Sequence, residues 1–182
     1  SLKIPLKLFP GAEIRLDPSI PRLLERDLVL TLGDSKKYLL LELPQQVSMG
    51  AAVVLRHLEC TGVGVILAHA ERYDVHRAEP ALAQDWVNGG ATLQVNAGSI
   101  TGANGEKVQQ ICFDWIRSGW VGMVSSDAHS TGTRRPRMTE AIDTLTAHFG
   151  ETTARLLCIE NPLRVLAAEN LAIPAPVPAI NS

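Results

Sequence analysis

A chain of 182 residues, 46% hydrophobic and 20% charged, has the composition of a globular domain with one core and excludes disordered and collagen-like classes. Seventeen basic against nineteen acidic residues leave a net charge of −2, which supplies no broad positive field for a nucleic-acid backbone or an anionic membrane. No apolar run approaches the ~18 residues of a membrane helix, and the first twenty residues lack the apolar core of a signal peptide. The expectation is a cytoplasmic protein with no nucleic-acid partner and no membrane insertion. Cys60, Cys112 and Cys158 are odd in number and never form C-x-x-C, a pattern of reduced cysteines rather than a disulfide framework or thiolate zinc site.

In chain order, runs rich in aliphatic and β-branched residues at Leu2–Phe9, Tyr38–Leu43, Gly64–Ala68, Thr92–Asn96 and Val121–Ser125 predict five buried strands. Helical spacing fills the gaps: Val47 to Glu59, stopped at Gly62; Pro80 to Asn88, stopped at Gly89-Gly90; and Glu106 to Ser118, stopped at Gly119. After the last strand come Met138 to Phe149 and a helix that opens at Asn161-Pro162, with Asn161 as the expected cap. Strands apolar on both faces that alternate with helices mean βα units and a parallel sheet, so the class is α/β. Residues 1–170 are assigned to one domain, and 171–182, with Pro174, Pro176 and Pro178, to a loose Pro-rich tail.

Parallel α/β folds gather functional groups at the C-terminal ends of their strands, where the loops converge. Four of the five predicted strands run into a metal-capable side chain. Glu13 follows the first, Glu42 lies at the end of the second, His69 follows the third, and Asp127 and His129 follow the last. Glu42 sits in YLLLELP, where a buried carboxylate needs a cation or strong donors. Asp127-x-His129 can turn an oxygen and a nitrogen ligand to one side of an extended segment. Carboxylates with imidazoles and no thiolate suit manganese, iron or zinc, and suit hydrolysis better than electron transfer. Arg72, three residues after His69, and Arg134-Arg135, five and six after His129, carry guanidinium forks suited to phosphate oxygens. The alternative for these arginines is solvation, or pairing with Glu71 and Glu140.

Other features are set aside. Cys158 and Arg164 have the spacing of a cysteine-nucleophile phosphatase, but the stretch between them has no glycine and contains Pro162, which lacks an amide proton for a phosphate cradle. His57 reads as a boundary residue on a helix, His76 as a polar loop residue without a partner at ligand spacing, and His148 as a residue near a helix C-terminus, where its partial positive charge suits the dipole. Gly98, Gly102 and Gly105 follow no phosphate-loop pattern, and NAGSITGANG reads as a substrate-facing loop with Asn96 as its best polar candidate. Trp86, Trp115 and Trp120 fall on or beside helices and are expected in the outer shell.

Five strings in order, GAEIR (11–15), TLGDSKKYLLLELP (31–44), GVGVILAHAERYD (62–74), GGATLQVNAGSITG (89–102) and VSSDAHSTGTRRPRM (124–138), resemble the manganese-dependent tyrosine phosphatases of bacterial capsule and exopolysaccharide synthesis. That family lies within the polymerase and histidinol phosphatase (PHP) superfamily. The resemblance, which runs from about Lys3 to Ala167, implies a distorted PHP-type (β/α)7 barrel around a divalent metal cluster. It implies hydrolysis of phosphotyrosine on a bacterial tyrosine kinase by a metal-activated water. Glu13, Glu42, His69, Asp127 and His129 match the family's metal ligands, with Glu42 in the bridging position. Arg72 and Arg134 match its phosphate-contacting arginines, with Arg135 as the alternative to Arg134.

One departure stands out. The family's first-strand H-x-H pair, and the aspartate and histidine that follow it, have no counterpart in this sequence. At ~30 residues per βα unit, roughly two units would precede Ser1 in a complete barrel, so about five units of an incomplete one are expected here. The chain reads as an internal fragment or a natural truncation, and a homo-oligomer is left open. Two alternative functions accompany the main one: a small-molecule phosphatase of the histidinol phosphate kind, and a non-catalytic binding module.

Overall fold

Five short aliphatic segments lie side by side in a parallel sheet and follow one another in sequence order. The computed structural model describes residues 5–44, 51–73, 81–132 and 134–175. Its strands are β1 (Glu13–Arg15), β2 (Tyr38–Glu42), β3 (Gly64–Leu67), β4 (Ala91–Asn96) and β5 (Val121–Ser125). Helix α1 (Ile20–Glu25) follows β1, α2 (Ala51–Glu59) follows β2, and α3 (Ala81–Asn88) follows β3. The short α4 (Ala97–Ile100) and α5 (Glu106–Arg117) follow β4. After β5 come α6 (Met138–Arg155), a π-helical turn (Leu156–Glu160) and α7 (Asn161–Leu166). Helix α6 is kinked at Gly150, whose φ of 82° leaves the helical region where the sequence predicts a stop at Phe149.

Sequential order has a physical consequence. Each crossover steps in the same direction, and right-handed crossovers then place the connecting helices on one face, whereas a doubly wound sheet reverses its order and is covered on both. Alternation along the strands matches this. Leu39 and Leu41 of β2, Val65 and Leu67 of β3, Leu93 and Val95 of β4, and Val121 and Val124 of β5 share one core with Leu55 and Leu58 of α2, Trp86 of α3, Phe113 and Ile116 of α5 and Leu145 of α6. Each such side chain contributes about 1.5–3 kcal/mol by leaving water.

The opposite face is divided along the strands. Near the N-terminal ends, Tyr38, Ile66 and Met123 pack with Val165 of α7, with Leu32, Leu40 and Leu171 against them. Towards the C-terminal ends, the same face carries Glu42, Gln94, Asn96 and Ser125. A one-residue register shift between β4 and β5 maintains this alignment. Leu93 pairs with Val121 but Gln94 pairs with Met123, so Gly122 is the extra, bulged residue.

Several expectations are corrected. Residues 5–9 form no strand; Pro5 and Pro10 bracket them, and the pairing with β2 is made by Glu13–Arg15 instead, where Ile14 alone turns to the core. Glu13 therefore opens β1 rather than following a strand. Helices α1 and α4 have no counterpart in the sequence reading because six and four residues are too few to display a period. Asn161 is not a cap. It has helical angles (φ −65°, ψ −43°), and its buried amide donates to the carbonyls of Gly122 (2.8 Å) and Ala172 (2.7 Å) and accepts from the Ala172 N–H (3.0 Å). The described start of the expected loose tail is thereby anchored, with the Leu171 N–H also donating to the Tyr38 hydroxyl (3.0 Å). Residues 47–50, His76, Pro80, Pro176 and Pro178 lie outside the described residues. Among those described, no helix is long and apolar enough to cross a membrane.

A Cβ on Gly122 would lie 2.3 Å from Cγ2 of Thr92. Gly122→Ala is expected to lower unfolding free energy by about 1–3 kcal/mol in urea titrations. Thr92→Ser, which removes that methyl, should recover part of the loss in the double variant.

Candidate metal centre and the arginine-lined cleft

Three strands bring three ligand-type side chains to one place. Glu13 and Glu42 share a sheet face, since Glu13 pairs with Leu40 and Arg15 with Glu42. His69 lies just past β3 in a left-handed conformation (φ 35°, ψ 47°), an arrangement that costs a non-glycine residue about 1–3 kcal/mol. Its Nε2 is 3.0 Å from Glu13 Oε1 and 3.6 Å from Glu42 Oε1. One ligand atom from each of the three lies within 4.8 Å of the others. Two carboxylates and an imidazole fit a divalent ion of the manganese, iron or zinc kind, which would also relieve the repulsion between the two acids. The imidazole itself is buried, and its Nδ1 has no hydrogen-bond partner among the described residues.

The turn carrying His69 is held from beneath by β4. Gln94 Oε1 accepts the His69 N–H (2.7 Å), while Gln94 Nε2 donates to Asn96 Oδ1 (3.0 Å). Asn96 Nδ2 in turn donates to Asp127 Oδ2 (3.1 Å). A second buried tie comes from Glu71, whose Oε1 accepts the Asn96 N–H (3.1 Å) and the Ser99 hydroxyl (2.6 Å). Burial pushes the Glu71 carboxyl above its ordinary pKa, opposed by the hydrogen bonds from Ser99 and Asn96. Tyr73 joins the ends of β2 and β3: its hydroxyl accepts the Leu43 N–H (2.7 Å) and donates to the Ala68 carbonyl (3.4 Å). The phenol packs edge-on to Trp86, and burial raises its pKa.

Asp127 also adopts positive φ (49°). Its Oδ2 accepts from Arg134 Nη2 (2.6 Å) and Arg72 Nη1 (3.3 Å) as well as from Asn96. His129, with 59% of its side chain exposed, donates from Nδ1 to the Asp127 carbonyl (2.9 Å). These arginines, with Arg135 and Arg137, line a cleft of about 470 Å³ whose apolar wall is Ala97, Ala103 and Val108.

Of the residues singled out in the sequence, Glu13, Glu42 and His69 therefore gather within ligand range. Asp127 stands with Arg72 and Arg134 and is joined to the His69 turn through two side-chain amides. Glu71, considered as an arginine partner, faces Asn96 and Ser99 instead. Asn96 does line the cleft. The sequence reading missed Gln94, Glu71, Ser99 and Tyr73 as positioning groups. Gln94 carried a signal, a lone amide inside the buried strand ATLQVN, whereas nothing local marks Ser99. The NAGSITGANG segment begins as helix α4 rather than as loop, which is how Ser99 becomes buried. Cys158 sits half-buried in the π-helical turn, its thiol pushed up to about 11 by burial, so it is neither a thiolate nor part of a phosphate cradle. His57 is exposed on α2, and His148 stacks against Phe113 with ring centroids 4.7 Å apart.

A singly wound parallel sheet with an acid–imidazole group and an arginine clamp at one end defines an α/β protein with a candidate metal site. The description "Capsular polysaccharide synthesis, CpsB/CapC" matches residues 1–167, and the chain belongs to that family. It is 32% identical over 155 residues to the tyrosine-protein phosphatase YwqE of Bacillus subtilis, covering 85% of this chain and 61% of that protein. Against the tyrosine-protein phosphatase CpsB of Streptococcus pneumoniae the identity is 26% over 162 residues, covering 86% and 66% respectively. The chain thus spans less than two thirds of the length of these relatives. A solved structure from work on YwqE of Bacillus subtilis and CpsB of Streptococcus pneumoniae, titled as metal-dependent tyrosine phosphatases, superposes with a TM-score of 0.88 at 30% identity, over 97% of this chain and 71% of that one.

Glu71→Ala, which orphans two buried donors, should destabilise the protein by about 2–4 kcal/mol in denaturant titrations, with Glu71→Gln retaining most of the stability. Cys158→Ser is expected to leave metal affinity, measured by calorimetry, at the parent value.

Proposed function

We propose that this chain is the metal-binding phosphatase portion of a cytoplasmic protein that hydrolyses phosphotyrosine on a bacterial tyrosine kinase of capsule and exopolysaccharide synthesis. The observation that carries the reading is the convergence of Glu13, Glu42 and His69 within ligand range, joined by hydrogen bonds to an arginine-lined cleft. Similarity to relatives named tyrosine phosphatases supports the reaction class. The strand order supports a PHP-type (β/α)7 barrel, of which residues 1–170 supply about five units.

On this reading Glu13, Glu42 and His69 hold divalent metal, manganese first with iron or zinc as alternatives, and Asp127 and His129 complete the set. Asp127 uses Oδ2 for Asn96, Arg72 and Arg134, so Oδ1, which lies 3.4 Å from His129 Nδ1, is the oxygen that would face an ion. Ions held there would supply an activated water and neutralise charge on the phosphoryl group. The protein's own work is positional and electrostatic. Each of Arg72 and Arg134 commits one N–H to Asp127, and the remaining donors of each fork are available to phosphoryl oxygens. Asp127 holds the two guanidiniums side by side before substrate arrives, so their ordering cost is met in advance. Ala97, Ala103 and Val108 offer an apolar wall to the substrate's phenyl ring. A phenolate leaves readily, so no strong general acid is needed and His129 is kept as a ligand.

Calorimetric titration with Mn(II) tests the metal reading. His69→Ala and Glu42→Ala should each weaken binding at least about tenfold while the far-ultraviolet circular dichroism is retained. Release of phosphate from a phosphotyrosine peptide should stop with chelator and resume with Mn(II). Turnover that persists in chelator, or parental metal affinity in His69→Ala, would overturn the proposal.

A further inference from the structure

Four arginines, Arg72, Arg134, Arg135 and Arg137, line one cleft of about 470 Å³ in a chain whose net charge is −2. Two carboxylates line it with them, Glu71 and Asp127. Glu71 is 1% exposed; its Oε1 answers the Asn96 N–H and the Ser99 hydroxyl, and its buried Oε2 meets no guanidinium among the described residues. Asp127 answers Arg72 and Arg134. That leaves Arg135 with no carboxylate within ion-pair distance among the described residues, and Arg137 with Glu140 at 4.0 Å, both of those side chains about half exposed. Proline 136 separates the pair, fixing its own φ and restricting the residue before it, so the two guanidiniums stand on a stiff, non-helical stretch directly before α6.

A concave surface concentrates the field of its charges, and arginines in a cleft that are unpaired, as Arg135, or only loosely paired, as Arg137, favour an anionic occupant. The volume falls in the range of clefts that enclose whole small ligands rather than a single phosphate. Resting on the phosphatase reading, in which Arg72 and Arg134 serve the phosphate to be removed, we propose that Arg135 and Arg137 bind a second anionic group on the same peptide. This group is a carboxylate, or a further phosphate, on a residue flanking the phosphotyrosine. The chain then selects substrates by the charge of their flanks as well as by the phosphotyrosine itself.

Three labelled peptides share one phosphotyrosine core and test this by fluorescence anisotropy at about 0.15 M salt, where only short-range charge contacts survive screening. One has glutamate and aspartate flanks, one neutral flanks, and one neutral flanks with a second phosphotyrosine. The parent chain should bind at least one of the two anionic peptides about tenfold more tightly than the neutral one, the gain expected of two partly exposed arginine contacts. Whichever peptide gains identifies the source of the anion. Arg135→Gln with Arg137→Gln should bring the ratio to within about twofold, and Arg135→Glu should bring the anionic peptides below the neutral one. Arg22→Gln with Arg26→Gln, the same loss of two charges on and directly after α1, should keep the preference. Equal binding of all three peptides by the parent chain, or an undiminished preference in the double variant, overturns this inference alone. Failure to bind any phosphotyrosine peptide overturns the phosphatase reading with it.

Discussion

Two side-chain amides on one buried strand, Gln94 and the terminal residue Asn96, hold the candidate site together. Gln94 and Asn96 are 4% and 7% exposed, and a buried amide left unpaired costs about 1–3 kcal/mol. Gln94 meets this requirement by taking the His69 N–H on its oxygen and giving its nitrogen to Asn96. Asn96 then gives its own nitrogen to Asp127. The acid–imidazole group and the arginine clamp are therefore not independent loops. A displacement at one end would leave a buried amide unsatisfied at the other.

The ends of this relay are also where the backbone is least relaxed. His69 and Asp127 both have positive φ without being glycine. Local sterics alone would not hold them so, because the left-handed region disfavours residues with a Cβ. The bonds to Gln94, Asn96, Arg72 and Arg134 offset that cost and specify one geometry. Glu71 strengthens the arrangement by tying the His69 turn to the start of α4 through Asn96 and Ser99, and Tyr73 does so by joining the ends of β2 and β3.

At the other end of the sheet the same face is closed by apolar contacts and one more buried amide. Asn161 connects the bulge at Gly122 to Ala172, and Tyr38 receives Leu171. This end is covered by α7 and the segment after it, so the polar residues nearer the C-terminal ends of the strands face the site instead of an apolar lid. The division of one sheet face into a packed end and a polar end follows from period-two alternation combined with the bulge that keeps β5 in phase with β4.

Four of the five strands, the parallel α/β class and the principal ligand-type residues were legible in the sequence. They rest on local signals: aliphatic runs between glycines, and acids or imidazoles at the ends of those runs. The first strand was misplaced over its described residues, 5–9, because the run is aliphatic enough to imitate one, while three residues, Glu13–Arg15, are too few to announce themselves. Asn161-Pro162 carried the local signature of a helix start, yet the amide is held by partners 39 and 11 residues away. No short-range pattern encodes such separations. That His69 joins Glu13 across β2, that Asp127 joins two arginines, and that Glu71 turns inward were likewise decided by tertiary structure. Residue type and alternation are properties of neighbouring positions, whereas the pairing of buried polar groups depends on which distant donors and acceptors folding brings within about 3 Å.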